Sequence, residues 1–92
     1  MFVVVVRCEL HLPGSTSLKA KRAILNRLKE RLRHGSAAVA EVEHADLWQR
    51  ASLGMAVVSG NATHTDELAS HLRSIVEREV EAVVLDWTVT RY

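Results

Sequence analysis

Residues 37–59 read AAVAEVEHADLWQRASLGMAVVS, and the spacing of apolar residues within them decides the architecture. Ala38, Ala40 and Val42 alternate with Glu41 and Glu43, the period-two pattern of a strand over about 37–44. A loop follows around Ala45 to Arg50, and a second strand covers about Ser52 to Ser59. The segment therefore predicts a hairpin.

On either side the period changes to that of a helix. Upstream, Leu18, Ile24, Leu25, Leu28 and Leu32 form one stripe of a helix over about 18–33. Ser15-Thr16-Ser17 supplies N-cap chemistry, and His34-Gly35 supplies the stop. Downstream, Gly60-Asn61 breaks the chain, and Leu68, Leu72, Ile75 and Val76 define a second helix over about 66–79. Thr63 or Thr65 is the expected cap, and Asp66 and Glu67 suit the positive end of its dipole.

The outermost segments are strands again. Val4, Val6, Cys8, Leu10 and Leu12 alternate with Arg7, Glu9 and His11 until Pro13-Gly14 ends the run. Over 82–91, Val83, Leu85, Trp87 and Val89 alternate with Asp86, Thr88 and Thr90. The order is β-α-β-β-α-β without linker or repeat. Right-handed crossovers turn that order into a two-layer α+β sandwich of the ferredoxin-like type, with a four-stranded antiparallel sheet and both helices on one face. The expected strand order is 4-1-3-2. Ninety-two residues form a single domain, 1–92, and bury roughly 60–65% of their unfolded surface, enough for such a fold.

Composition narrows the function classes. A 48% apolar and 25% charged chain is globular rather than disordered. The lone Cys8 has no disulfide partner within the chain, and its inward alternation makes it a buried thiol rather than a nucleophile. The apolar run Phe2 to Val6 is too short for a signal peptide or a membrane span, so a cytoplasmic protein without membrane attachment is expected.

The net charge of +1 hides an asymmetry. Residues 1–35 carry eight Lys/Arg against two acids, a net of +6; residues 36–92 carry four Arg against nine acids, a net of −5. Such a division points to an anionic partner.

Two segments carry a family resemblance. Glu9-Leu10-His11-Leu12-Pro13-Gly14-Ser15 leading into Ser17-Leu18-Lys19-Ala20-Lys21-Arg22 resembles the start of the bacterial YlxP-like family. Ala40-Glu41-Val42-Glu43-His44, Asp46-Leu47-Trp48-Gln49-Arg50 and Leu53-Gly54 resemble its middle. The resemblance implies a ferredoxin-like fold and no accepted activity. The family's genes commonly lie among those for translation initiation and ribosome maturation, which implies a ribosome-linked role.

The first helix holds the candidate site. Lys19, Lys21 and Arg22 lie in its opening turn and a half, where the dipole disfavours cations, and Arg27/Arg31 and Lys29/Arg33 are like-charged pairs four apart. On a helical wheel Arg22, Lys29 and Arg33 form one ridge, with Arg27 and Arg31 on the back; Lys21 falls in the apolar stripe, with its ammonium expected to emerge at the open N-terminal end. Such clustered cations suit a phosphate backbone, against the plainer reading of a solvated face neutralised by the acidic half. A non-catalytic protein associated with ribosomal RNA or a maturing ribosomal particle is the expectation. The alternative is a homo-oligomeric regulatory module that binds a small anion where Ser15, Ser17, Lys19 and Lys21 gather at the helix start.

Trp48, Gln49 and Arg50 at the hairpin tip are candidate partner contacts, Trp48 either folding back on its hairpin or anchoring a protein or an unpaired base. Trp87 is expected in the core. Glu9 and His11, and Glu41 and Glu43, tempt a metal or acid–base reading. Their strands are not neighbours in the expected sheet, and no metal motif is present, so no metal, cofactor or catalytic residue is assigned. Val3, Val5, Arg7, Glu9 and His11 are expected on the open sheet face. Without stacking aromatics, that face suits a homodimer better than RNA.

Overall fold

In the computed structural model, which describes residues 1–92, the elements follow as β1 (Phe2–His11), α1 (Leu18–His34), β2 (Ala38–Glu43), β3 (Arg50–Ser59), α2 (Ala62–Glu77) and β4 (Val83–Arg91). The sheet is antiparallel with order β2-β3-β1-β4. β1 and β3 pair over their full length, from Phe2 opposite Ser59 to His11 opposite Arg50. Their central position explains why Val4, Val6, Cys8, Leu10, Leu53, Met55 and Val57 are almost wholly buried. Both helices lie on that face. Ile24, Leu25, Leu28 and Leu32 of α1 and Leu72, Ile75 and Val76 of α2 close the core, the stripes expected from the period of 3.6.

Two bulges change which residues face the helices. In β2 the register shifts between Glu41 and Glu43. Val39 and Glu41 consequently lie over the helix layer, Ala38, Ala40 and Val42 face the open side, and Glu43 comes opposite Ser52 on that open side as well. Strict alternation would have kept Glu41 and Glu43 together; the extra residue separates them. In β4 the register shifts opposite Glu9 and Leu10. Val84 packs on the core there, while Val83 and Leu85, expected inward with Trp87 and Val89, are about half exposed.

The helix ends also differ in detail. The cap of α2 is Asn61, whose Oδ1 accepts from His64 N at 3.0 Å, so the helix begins about half a turn earlier than Thr63 would allow and a full turn earlier than Thr65 would. At the end of α1, Gly35 is not the left-handed residue: its φ is −81°, and Ser36 takes φ 71°. Ser36 N donates to Arg33 O and Ala37 N to Leu32 O, the paired bonds of a Schellman closure. Gly35 instead eases close packing, since a Cβ there would stand 3.0 Å from Ile75 Cδ1 of α2 and 3.2 Å from Leu32 O, and those neighbours would have to give way slightly.

Candidate nucleic-acid interface

The turn into α1 is closed by its own hydrogen bonds. Ser17 is the N-cap, its Oγ accepting from Ala20 N at 3.0 Å. Ser15 is fully buried and donates to Ser17 O at 3.2 Å. Gln49 Nε2 donates to Pro13 O and Ser15 O, and Gln49 O accepts from Leu12 N, which staples the hairpin loop onto the turn. Lys21, expected to emerge, is instead 2% exposed: its Nζ donates to His44 O at 2.6 Å and lies 2.8 Å from Glu41 Oε2. The β2 bulge that leaves Glu41 on the helix side provides this partner. Of the groups expected to hold a small anion there, Lys19 alone is uncommitted.

The remaining cations of α1 divide by flank. Arg27 and Arg31 face the segment after α2. Arg27 donates to Glu79 at 3.1 and 3.3 Å and to Glu81 at 2.7 Å, and Arg31 donates to Glu79 at 3.1 Å. The Glu79 side chain is 3% exposed. Burial pushes its carboxyl up; the hydrogen bonds from Arg27 and Glu81 N, with the fields of both arginines, outweigh that and hold it below the ordinary range. Sequence reading passed over Glu79, although Glu77, Glu79 and Glu81 alternate just where an acidic partner for α1 was needed.

A pH dependence follows. A depressed folded-state pKa contributes stability that is complete above the unfolded value, about 4.3 for Glu, and disappears as pH falls through the lower folded value. The stability gap between the wild type and Arg27→Gln/Arg31→Gln, followed by urea unfolding from pH 7 to pH 3, is expected to narrow as pH falls. A constant gap would contradict the role given to Glu79.

On the opposite flank, Arg22 and Lys29 make no ion pair within the chain, nor does Lys19, and Arg33 meets only Glu30 of its own helix, at 3.6 Å. His34 shares that same Glu30 at 3.9 Å. The acidic half thus neutralises Lys21, Arg27 and Arg31 and leaves the ridge free.

At the hairpin tip Trp48 is 55% exposed beside exposed Leu47. Gln49 is committed to the turn, and Arg50 belongs to β3, its Nη2 3.9 Å from Glu9. Trp87 is half-buried at the rim of the core rather than inside it, with the Arg73 guanidinium 5.4 Å from its ring centroid.

Glu9 of β1 and Glu43 of β2 do come together although their strands are not neighbours, while Glu41 stays on the helix side. Between them β3 presents only Ser52 and Gly54 on the open face, so side chains reach across it. Arg7 binds Glu9 at 3.1 Å and also Glu43, Ser52 donates to Glu9, and His44 Nε2 lies 3.7 Å from Glu9 and 3.8 Å from Glu43. The Ser52 hydrogen bond, more than burial opposes it, lowers the Glu9 carboxyl, with help from Arg7. Arg7 occupies the space between the carboxylates, and no group of three side chains is placed to hold a metal ion. Burial pushes the Cys8 thiol up to about 12, the wrong direction for a nucleophile.

Residues 3–89 match the model of a family described as "Protein of unknown function (DUF503)". The chain belongs to that family. Within reach by sequence is a Bacillus subtilis (strain 168) protein described as "Uncharacterized protein YlxP", 31% identical over 85 residues that cover 91% of this chain and 89% of the relative. DUF503 membership thus agrees with the resemblance carried by the β1–α1 turn and the hairpin. Two solved structures share the fold at low identity. The de novo designed protein LFR1 1, with a ferredoxin fold, superposes with a TM-score of 0.55 at 14% identity, covering 100% of this chain and 84% of the design. The de novo designed protein Foldit4 does so with a TM-score of 0.53 at 12% identity, covering 100% and 97%. No helix of the chain is long and apolar enough to cross a membrane.

Proposed function

We propose that this DUF503 chain is a non-catalytic RNA-binding protein of the cytoplasm, with ribosomal RNA or a maturing ribosomal particle as its partner. Arg22, Lys29 and Arg33 hold phosphates of the backbone, and Lys19 extends the ridge toward the helix start. The supporting observation is the division of charge on α1: carboxylates from the acidic half engage one flank, while on the other only Arg33 has a partner, Glu30 of its own helix. A helix that keeps repelling cations on one face gains most from an external polyanion. Exposed Trp48 supplies a contact to protein or to an unpaired base at the same end as the α1 N-terminus, to which its loop is stapled. Co-sedimentation with ribosomal subunits tests the reading: the protein is expected in the pellet at low salt, and its absence there overturns the assignment.

The anion-binding alternative at the helix start has less support, because Ser15, Ser17 and Lys21 are engaged internally. Homodimerisation has its own supporting observation. Half-buried Val3, Val5 and Ala56 and exposed Val42 and Val58 form an apolar area on the open face. Light scattering on the wild type is expected to give twice the chain mass, and Val5→Glu/Val58→Glu the mass of one chain. A monomeric wild type at high concentration contradicts the dimer and leaves the RNA reading standing.

A further inference from the structure

A cleft of about 560 Å³ opens between the end of α1 and the outer side of α2, lined by Arg31, His34, Gly35, His71, Ile75 and Arg78. Its ionisable lining is two guanidiniums and two imidazoles, with no carboxylate. Arg31 is held from behind by Glu79, whose charge is already shared with Arg27. The Arg78 Nε donates to Ser74 O at 3.2 Å, which fixes the guanidinium against the last turn of α2, and Arg78 makes no ion pair in the chain. His71 makes none either, and His34 reaches only Glu30, at 3.9 Å.

Helix C-termini normally repel anions, because unpaired carbonyls face outward. Here most of those carbonyls at α1, and two at α2, are engaged. At α1, Arg31 O and Leu32 O accept from Gly35 N, Arg33 O accepts from Ser36 N, and Leu32 O also accepts from Ala37 N. At α2, Ser74 O accepts from Arg78 N and Val76 O from Glu79 N. The bare Cα of Gly35 lets the end of α1 settle against Ile75, which forms the apolar part of the lining.

We infer that this cleft binds a phosphate monoester, its dianion matched to the forks of Arg31 and Arg78, with imidazole N–H groups of His34 and His71 as further donors. Guanidinium N–H groups pair strongly with phosphoryl oxygens. Arg31 keeps the donors not engaged by Glu79, and Arg78 keeps both Nη groups, since only its Nε is spent on Ser74 O. The volume lies within the range of about 300–1,000 Å³ usual for small-molecule sites, and so leaves room for the organic group beside Ile75. The site is separate from the ridge: none of Arg22, Lys29 and Arg33 lines it. A free nucleotide and a 5′-phosphorylated RNA end both carry the required group.

Amide chemical-shift titration of the full chain distinguishes these. Adenosine 5′-monophosphate is expected to shift His34, Gly35, His71 and Arg78 saturably, and adenosine is not. Arg78→Ala/His71→Ala, both exposed and safe for folding, should weaken binding at least about tenfold, the loss of one charge-assisted contact or more. Arg22→Glu/Lys29→Glu should leave it within about twofold, because neither residue lines the cleft and exposed charges are screened by salt. An RNA tetramer with a 5′-phosphate binding more tightly than the mononucleotide, and than its 5′-hydroxyl form, assigns the site to RNA ends; equal affinity assigns it to small phosphomonoesters. Shifts no larger than those from adenosine, or unchanged affinity in Arg78→Ala/His71→Ala, overturn the inference, whatever the ridge variants do to RNA binding.

Discussion

Reversing Arg22, Lys29 and Arg33 together to glutamate is expected to lower affinity for RNA by about 100-fold or more near 0.1 M salt, with the fold intact. Arg22 and Arg33 are exposed and Lys29 half-buried on the flank of α1 away from Glu79, and none supports the structure through an ion pair with another element. The pair at 29 and 33 stays like-charged after reversal, so its i,i+4 repulsion is kept. A carboxylate at 22 suits the opening turns of the helix, while one at 33 sits at the disfavoured end and loses the exposed contact with Glu30, and these small terms nearly offset. Stability should therefore stay within about 0.5 kcal/mol of the wild type, as for surface substitutions generally. Electrophoretic mobility shift with a ribosomal RNA fragment measures the first effect and urea unfolding the second. Wild-type affinity in the triple variant would remove the ridge from the interface.

The largest stability losses are expected at the Lys21–Glu41 pair. The Lys21 ammonium is 2% exposed between Glu41 and His44 O, and breaking a buried pair strands the surviving charge. Such losses run to about 3–5 kcal/mol, and the 20% exposure of Glu41 moderates the Lys21→Met variant by letting the stranded carboxylate reach water. Glu41→Gln leaves the more deeply buried partner unneutralised and should cost more than Lys21→Met. At about 4–8 °C per kcal/mol for a domain of this size, either lowers Tm by 10 °C or more. Lys21→Met/Glu41→Leu should recover most of the loss, because an apolar pair of similar volume replaces the ions. Equal, additive losses in the double variant would mean that the two groups do not act as a pair.

These two outcomes separate what was legible in the sequence from what was not. The order of strands and helices was legible because Val4 to Leu12 repeat every second residue while Ile24 to Leu32 repeat at helical spacing. The ridge was legible for the same reason, since a wheel places Arg22, Lys29 and Arg33 together without reference to any other element. The partners of Lys21, Arg27 and Arg31 were not, because Glu41, Glu79 and Glu81 reach them only through tertiary packing. Bulges are equally hidden. One extra residue at Val42 or Leu85 is set by the strand opposite, and it decided that Glu41 meets Lys21 while Glu43 meets Arg7. The meeting of Glu9, Glu43 and His44 across an intervening strand depended on Ser52 and Gly54 being small, which strand order alone does not reveal.

Salt dependence of RNA binding probes the unpaired ridge most directly. Each phosphate neutralised contributes about −0.7 to −0.9 to the slope of log Kobs against log salt, so three cations are expected to give about −2 to −3 in the wild type. The triple glutamate variant, which keeps only Lys19 of the ridge, should lose most of that slope. A wild-type slope near zero, or the same slope in both proteins, contradicts phosphate binding by Arg22, Lys29 and Arg33.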